Sequence, residues 1–188
     1  MTPEDVLNEF RAAGALLEGH FILRSGRHSR QFFQCALLLQ YPDRAQRLCA
    51  ALAKQLDSAQ FDAVISPALG GLFVGHELAK ALGKRHIFAE KEAGALVLRR
   101  GFTIAPGERF LVAEDVVTSG GRVAETIDIV RRAGGNPVVA AALVHRGDAL
   151  PEFGCPFHCL LRLQVESFDP EDLPPDLAAI PAEKPGSR

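Results

Sequence analysis

Apolar residues fall along this chain in two alternating rhythms. FDAVISP (61–67), RFLVAED (109–115) and PVVAAALVHR (137–146) are nearly unbroken apolar runs ending in proline or charge, and each reads as a strand buried on both faces. Between them, PDRAQRLCAALAKQL from Pro42 and GGLFVGHELAKALG from Gly70 space their apolar positions as helices do, the second closing on Gly83. The stretch from about Gly121 to Ala133 repeats that spacing before a GGNP stop. At the N-terminus Thr2 predicts a helix cap, with Pro3 at the first position, acids in the first turn and Gly14 at or near the end. GHFILRSGRHSRQFFQ (19–34) reads as two extended runs around a Ser25-Gly26 turn, a hairpin. RHIFAEK and GALVLRRGF are further strands around a short polar link, followed by a turn at Pro106-Gly107. Strands alternating with crossover helices predict an α/β fold: a mostly parallel twisted sheet flanked by helices.

Composition narrows the partners. At 188 residues and 47% hydrophobic, the chain suits one compact domain. A formal net charge of -2 with no lysine or arginine run gives no footprint for nucleic acid or a membrane surface, so small molecules are the expected partners. No basic, apolar leader and no stretch of about eighteen apolar residues occurs, and a cytoplasmic location is expected. The four cysteines, Cys35, Cys49, Cys155 and Cys159, lack zinc-site spacing and read as reduced. In the CPFHC cluster, an extended backbone turns His158 away from Cys155 and Cys159, which favours packing over metal binding.

In such a sheet, ligands bind beyond the carboxyl ends of the strands. That is where the unusual residues gather: VISPALGG, LVAEDVVTSGG and ALVHRGD each follow a strand. In FLVAEDVVTSGGRVAETI (110–127) a buried strand stops on Glu114-Asp115, passes through Thr118-Ser119-Gly120-Gly121 and enters a helix. Glycines let successive amides turn inward, the hydroxyls add donors, and a helix N-terminus carries about half a positive charge, which together make a phosphate cradle. Two adjacent acids repel a bare phosphate and face sugar hydroxyls or a cation instead. A lone acid pair also reads as a solvated strand end. No GxxxxGK[ST] loop is present, which disfavours a P-loop nucleotide hydrolase.

The full string closely resembles the signature by which phosphoribosyltransferases bind 5-phosphoribosyl 1-diphosphate. From about Gly14 to Arg146 the chain resembles orotate phosphoribosyltransferase in particular, because GALLEGHFILRSGRHSRQFF is similar to that family's N-terminal hairpin with its S-G-x-x-S pattern and paired aromatics. The resemblance implies a single domain, 1–188, in which residues 1–36 form the N-terminal helix and a hood hairpin, 37–165 the α/β core and 166–188 a C-terminal segment that joins the hood. It implies that Glu114, Asp115, Val116, Val117, Thr118, Ser119, Gly120 and Gly121 bind ribose and 5-phosphate. Ala68, Leu69, Gly70 and Gly71 then face the diphosphate with Lys91, and Arg24, Phe32, Phe33, Thr118 and Arg146 bind orotate. Arginine suits a carboxylate because its planar fork meets both oxygens. The phenylalanines equally suit the core, and SPALGG equally suits a turn that starts a helix.

The chain departs from the family's pattern where many relatives carry lysine at the position of Gly70. Its catalytic loop is short and lacks a downstream lysine and histidine, leaving Lys91, Arg99 and Arg100 with Asp115 as catalytic candidates; an exposed strand end is the competing reading of the two arginines. The resemblance further implies Mg2+ held mainly through substrate oxygens, with no dedicated protein ligands, and a homodimer whose sites are completed by the partner's segment from Lys91 to Arg100. Three functions are separable on this basis: transfer to orotate in pyrimidine synthesis, transfer to a purine or other base, and donor sensing without turnover.

Overall fold

A computed structural model describes residues 1–23, 25–147 and 149–185. The chain runs α1 (Pro3–Ala12), β1 (Leu16–Ile22), β2 (His28–Phe33), α2 (Cys35–Leu39), α3 (Pro42–Ala53), β3 (Ala63–Pro67), α4 (Gly70–Leu82), β4 (Arg85–Glu92) and β5 (Ala95–Leu98). It continues through β6 (Arg109–Val117), α5 (Gly121–Arg132), β7 (Asn136–His145), β8 (Phe157–Arg162), β9 (Ser167–Phe168) and α6 (Pro175–Ala178). The main sheet is ordered β5-β4-β3-β6-β7-β8. Its β4, β3, β6, β7 and β8 run parallel, and β5 folds back antiparallel on β4.

Local chemistry explains the elements. Thr2 and Asp5 form a reciprocal capping box: the Asp5 amide donates to Thr2 Oγ1 at 3.2 Å, and the Thr2 amide donates to Asp5 Oδ2 at 2.7 Å. In β6 the alternation of side chains divides an unbroken apolar run between two cores. Leu111 and Ala113 pack with α3 and α4 residues such as Leu48 and Leu78, whereas Phe110 and Val112 pack with Ile127 and Val130 of α5. Among the described residues no helix is long and apolar enough to cross a membrane.

A second, smaller sheet is ordered β1-β2-β9. Its hairpin turns where the sequence predicts, with the Leu23 amide donating to the Arg27 carbonyl at 2.8 Å. The C-terminal segment then closes on it. Ser29 Oγ donates to the Glu166 carbonyl at 3.0 Å, and Arg30 forks onto Asp176 with two contacts of 2.8 and 2.9 Å. Three elements arise without a local signal. The five-residue α2 follows β2 directly, β9 is two residues long, and β8 turns the extended CPFHC region into an edge strand of the main sheet. The four cysteines are free, and burial pushes the Cys49 thiol up to about 12.

Candidate active site

The carboxyl ends of β3, β6 and β7 meet at one trough. Near the carboxyl end of β6 stand Glu114 and Asp115, the first 6% exposed and the second half-buried. The Asp115 amide donates to Glu114 Oε1 at 3.0 Å, and the Val116 amide donates to Asp115 Oδ1 at 2.7 Å. Burial is the main force raising both carboxyl pKa values, and the neighbouring Asp115 charge pushes Glu114 further up. Two carboxyls this close and this dry bind a shared proton, hydroxyl donors or a cation in preference to an anion.

The start of α4 is shaped around these acids. A Cβ on Gly71 would stand 2.7 Å from Glu114 Oε1 and 3.1 Å from Pro67 Cδ, and one on Gly70 would stand 2.6 Å from Asp115 Cγ. Glycine therefore lets the loop from Ser66 to Gly71 lie directly on the acid pair. The Ala68 amide donates to the Ala89 carbonyl at 2.7 Å, which corrects the expectation that it faces a ligand; only the amides from Leu69 onward open α4. Ser66 Oγ lies 2.8 Å from His86 Nε2, and burial lowers the His86 pKa to about 4.

Beyond the acids, Thr118 and Ser119 are exposed, and Gly120 takes φ of 83° at the N-cap of α5. A Cβ on Gly120 would lie 2.7 Å from the Phe153 ring, so glycine is required by both conformation and space. Thr118, Ser119 and Gly121 line a cavity of about 530 Å³ together with Ser25, Lys91 and Arg122. Thr118, Ser119 and Ser25 also line an adjoining cavity of about 230 Å³, whose far wall is Arg146, Val165 and Ser167. The two cavities meet at Ser25, Thr118 and Ser119, the first bordered by Lys91 and Arg122 and the second walled by the Arg146 guanidinium. Val116 and Val117 add no side chain to it: Val117 is buried in the α5-side core, Val116 packs against the opposite core, and the Val117 carbonyl accepts from the Arg146 amide at 2.7 Å.

Arg146 is half-buried, its Nη1 is buried without a hydrogen-bond partner, and burial lowers its pKa. Its guanidinium lies 5.8 Å from the centre of the Phe32 ring. Phe33 corrects the expectation that both phenylalanines line the site. It is 5% exposed and meets Phe10 edge-on at 5.4 Å in the core, because successive residues of β2 point to opposite faces. Arg24 lies outside the described residues.

The same alternation sorts the cations of the β4-β5 hairpin. Lys91 lines the cavity of about 530 Å³ in its own chain. Glu90 and Glu92 point the other way and hold the arginines. Arg100 forks onto Glu90 with two contacts of 2.9 Å, and Arg99 Nη1 meets Glu92 Oε1 at 2.8 Å. Arg99 and Arg100 are therefore drawn to the far face of the hairpin from Lys91. Sequence reasoning missed Arg122, which directly follows the phosphate loop, and Ser167, which reaches the site only through the pairing of β9 with β2. Among the described residues no group of three or more His, Cys, Asp or Glu side chains could hold a metal ion.

Residues 39–153 match the model of the phosphoribosyl transferase domain. The whole chain is 52% identical to orotate phosphoribosyltransferase of Rhizorhabdus wittichii, covering 97% of that protein, and 48% identical to that of Pelotomaculum thermopropionicum, covering 99%. The chain belongs to the orotate phosphoribosyltransferase family. Within this family, the crystal structure of the enzyme from Aeropyrum pernix matches 85% of this chain and 94% of its own with a TM-score of 0.73 at 28% identity. Adenine phosphoribosyltransferase from Thermoanaerobacter pseudethanolicus shares the fold, with a TM-score of 0.61 at 19% identity over 71% of this chain and 88% of its own. The fold is thus common to enzymes of different bases.

Proposed function

We propose that this chain transfers the 5-phosphoribosyl group of 5-phosphoribosyl 1-diphosphate to orotate, giving orotidine 5'-monophosphate and diphosphate in pyrimidine synthesis. The observation that carries this reading is the Arg146 guanidinium, with Nη1 unpartnered and Phe32 across from it, in a cavity that Thr118 and Ser119 also line. A neutral purine offers nothing to balance a buried cation, whereas the orotate carboxylate accepts from it in a fork.

The reaction breaks the bond from the anomeric carbon to the diphosphate oxygen and forms one to the ring nitrogen of orotate, whose N–H proton is lost to the departing diphosphate or to water. Positive charge develops on the ribose ring, and negative charge on the leaving oxygens. The loop from Thr118 to Gly121 anchors the 5-phosphate, and Glu114 and Asp115 accept from the ribose hydroxyls while opposing the positive charge on the ring. The amides opening α4, with Lys91, meet the diphosphate. Mg2+, held mainly through substrate oxygens, would suit the neighbourhood of Glu114 and Asp115, because a cation beside two buried carboxyls with raised pKa values would favour their charged form. When bound, it neutralises charge on the leaving diphosphate. The test is orotate-dependent release of diphosphate, with and without Mg2+ and with adenine, guanine or xanthine as competing acceptors. Turnover on a purine and none on orotate would overturn the assignment.

The functional unit in this reading is a cytoplasmic homodimer, and the free cysteines agree with a reducing compartment. Leu69 and Phe73, 80% and 54% exposed, border an apolar groove with Leu39 and Pro42, a surface suited to a second copy. Arg99 and Arg100, directed away from their own cavity, supply cations to the partner's diphosphate. Mixing an inactive Arg99→Ala, Arg100→Ala chain with an inactive Asp115→Asn chain then restores activity through heterodimers. Folded, dimeric parents that exchange subunits yet stay inactive in mixture would refute the sharing.

A further inference from the structure

We propose that Glu125 is a positioning residue for the reaction, which holds the β4-β5 hairpin on α5 through the Leu96 amide and thereby sets Lys91 at the donor cavity. The inference rests on the place assigned above to Lys91, against the diphosphate. Glu125 Oε1 accepts from the Leu96 amide at 2.6 Å, and Leu96 stands directly opposite Lys91 in the hairpin. Residues opposite each other across an antiparallel pair present their side chains to one face. The buried Leu96 side chain and the Lys91 side chain therefore leave the hairpin on the same side, and Lys91, Gly94 and Glu125 all line the cavity of about 530 Å³.

The hairpin needs such an anchor. β5 is four residues long and is the outermost strand of the main sheet, bonded along one edge to β4. An amide on its other edge has no strand to meet. Ala93 and Gly94, with φ of 48° and 94°, join Glu92 to Ala95 in a two-residue turn, so β4 and β5 form one tight ribbon and whatever fixes β5 also fixes Lys91. Charge explains why the anchor does not grip the lysine itself. Among the described residues Glu125 pairs with no cation, although Lys91 and Arg122 border the same cavity. A carboxylate that neutralised Lys91 would cancel the charge that the diphosphate has to meet, and a carboxylate beside a phosphate repels it. What Glu125 contributes is therefore an acceptor oxygen at the right reach, bonded to an amide, which aligns the strand and leaves the lysine Nζ for the donor.

Variants that separate reach from charge test this. Glu125→Ala is expected to lower kcat/KM for 5-phosphoribosyl 1-diphosphate by about 10- to 100-fold, the effect of losing a charge-assisted hydrogen bond and misplacing a cation. The orotate KM stays within about twofold. Glu125→Gln keeps an acceptor oxygen at the same reach and holds kcat/KM within about threefold of the parent. Glu125→Asp keeps the charge, withdraws it by one methylene and behaves as the alanine variant. Amide hydrogen exchange at Leu96 follows the same order, about 10- to 100-fold faster in the alanine and aspartate variants than in the parent. Because Glu125 acts through Lys91, adding Glu125→Ala to a Lys91→Ala chain lowers kcat/KM no further. An impaired Glu125→Gln chain, a fully active Glu125→Asp chain or full additivity with Lys91→Ala would overturn the role, and the first two decide it should the alanine variant fold poorly. If Lys91→Ala is impaired while every Glu125 variant matches the parent, the inference fails and the diphosphate assignment stands. If Lys91→Ala itself matches the parent, that assignment fails and the inference with it.

Discussion

Replacing Arg146 with methionine should move stability and substrate affinity in opposite directions. In the free protein its Nη1 is buried and unpaired, a condition that costs about 1–3 kcal/mol. The Phe32 ring 5.8 Å away returns part of this, about 0.5–1 kcal/mol. Methionine keeps the apolar stem, removes the charge and loses the ring contact, so a net gain of about 0.5–2 kcal/mol remains. For a chain of this length that raises Tm by a few degrees, at about 2–4 °C per kcal/mol. Orotate binding instead loses a charge-assisted contact of about 1.5–3 kcal/mol, which raises its KM by about 10- to 150-fold. The donor KM stays within about twofold, because the phosphate end of the trough is untouched. Scanning calorimetry of unliganded protein and separate saturation curves for each substrate decide the matter. A lower Tm with an unchanged orotate KM would show that the guanidinium is a structural prop, and the assignment of the base end would fall.

Three further outcomes follow from burial and charge. Glu114 has a folded pKa well above its usual value, so its stabilising contribution is complete below about 4.5 and is lost as pH rises through the folded value; Glu114→Gln should flatten the alkaline fall of Tm while crippling turnover, and a Tm profile parallel to that of the parent would contradict this. His86 is opposite in sign: with a folded pKa of about 4 against an ordinary value of 6.5, stability is full above about 6.5 and declines as pH falls toward 4. His86→Asn removes that acid-side slope in a Tm series, and an unchanged slope would mean the imidazole titrates freely. Phe33→Ala should cost about 3–5 kcal/mol by denaturant unfolding, whereas Phe32→Ala should mainly raise the orotate KM; equal stability losses would show that the two rings are not divided between core and site.

The sequence by itself determined whatever is written in neighbouring residues. The two-faced apolar runs at Ala63–Pro67 and Arg109–Val117 fix strands buried on both sides, and the Thr2 capping box starts α1. The acid pair and the loop from Thr118 to Gly121 are likewise legible, because an anion cradle at a helix N-terminus is made of consecutive amides and hydroxyls. Only the tertiary structure decided which way side chains point and what lies across from them. Neither Phe32 nor Phe33 announces its face until β2 pairs with β1 and Phe33 meets Phe10. Lys91 parts from Arg99 and Arg100 because strand alternation sends it to the cavity and leaves Glu90 and Glu92 to hold the arginines. Ser167 enters the site through a pairing between β9 and β2 that spans most of the chain, and β8 becomes a strand only by bonding to β7. Arg122 follows the signature directly, yet only the fold sets it at the same cavity as Lys91 of β4. Local patterns record which conformation a segment prefers, whereas a binding site records distances between segments, and those are set when the two cores close on the sheet.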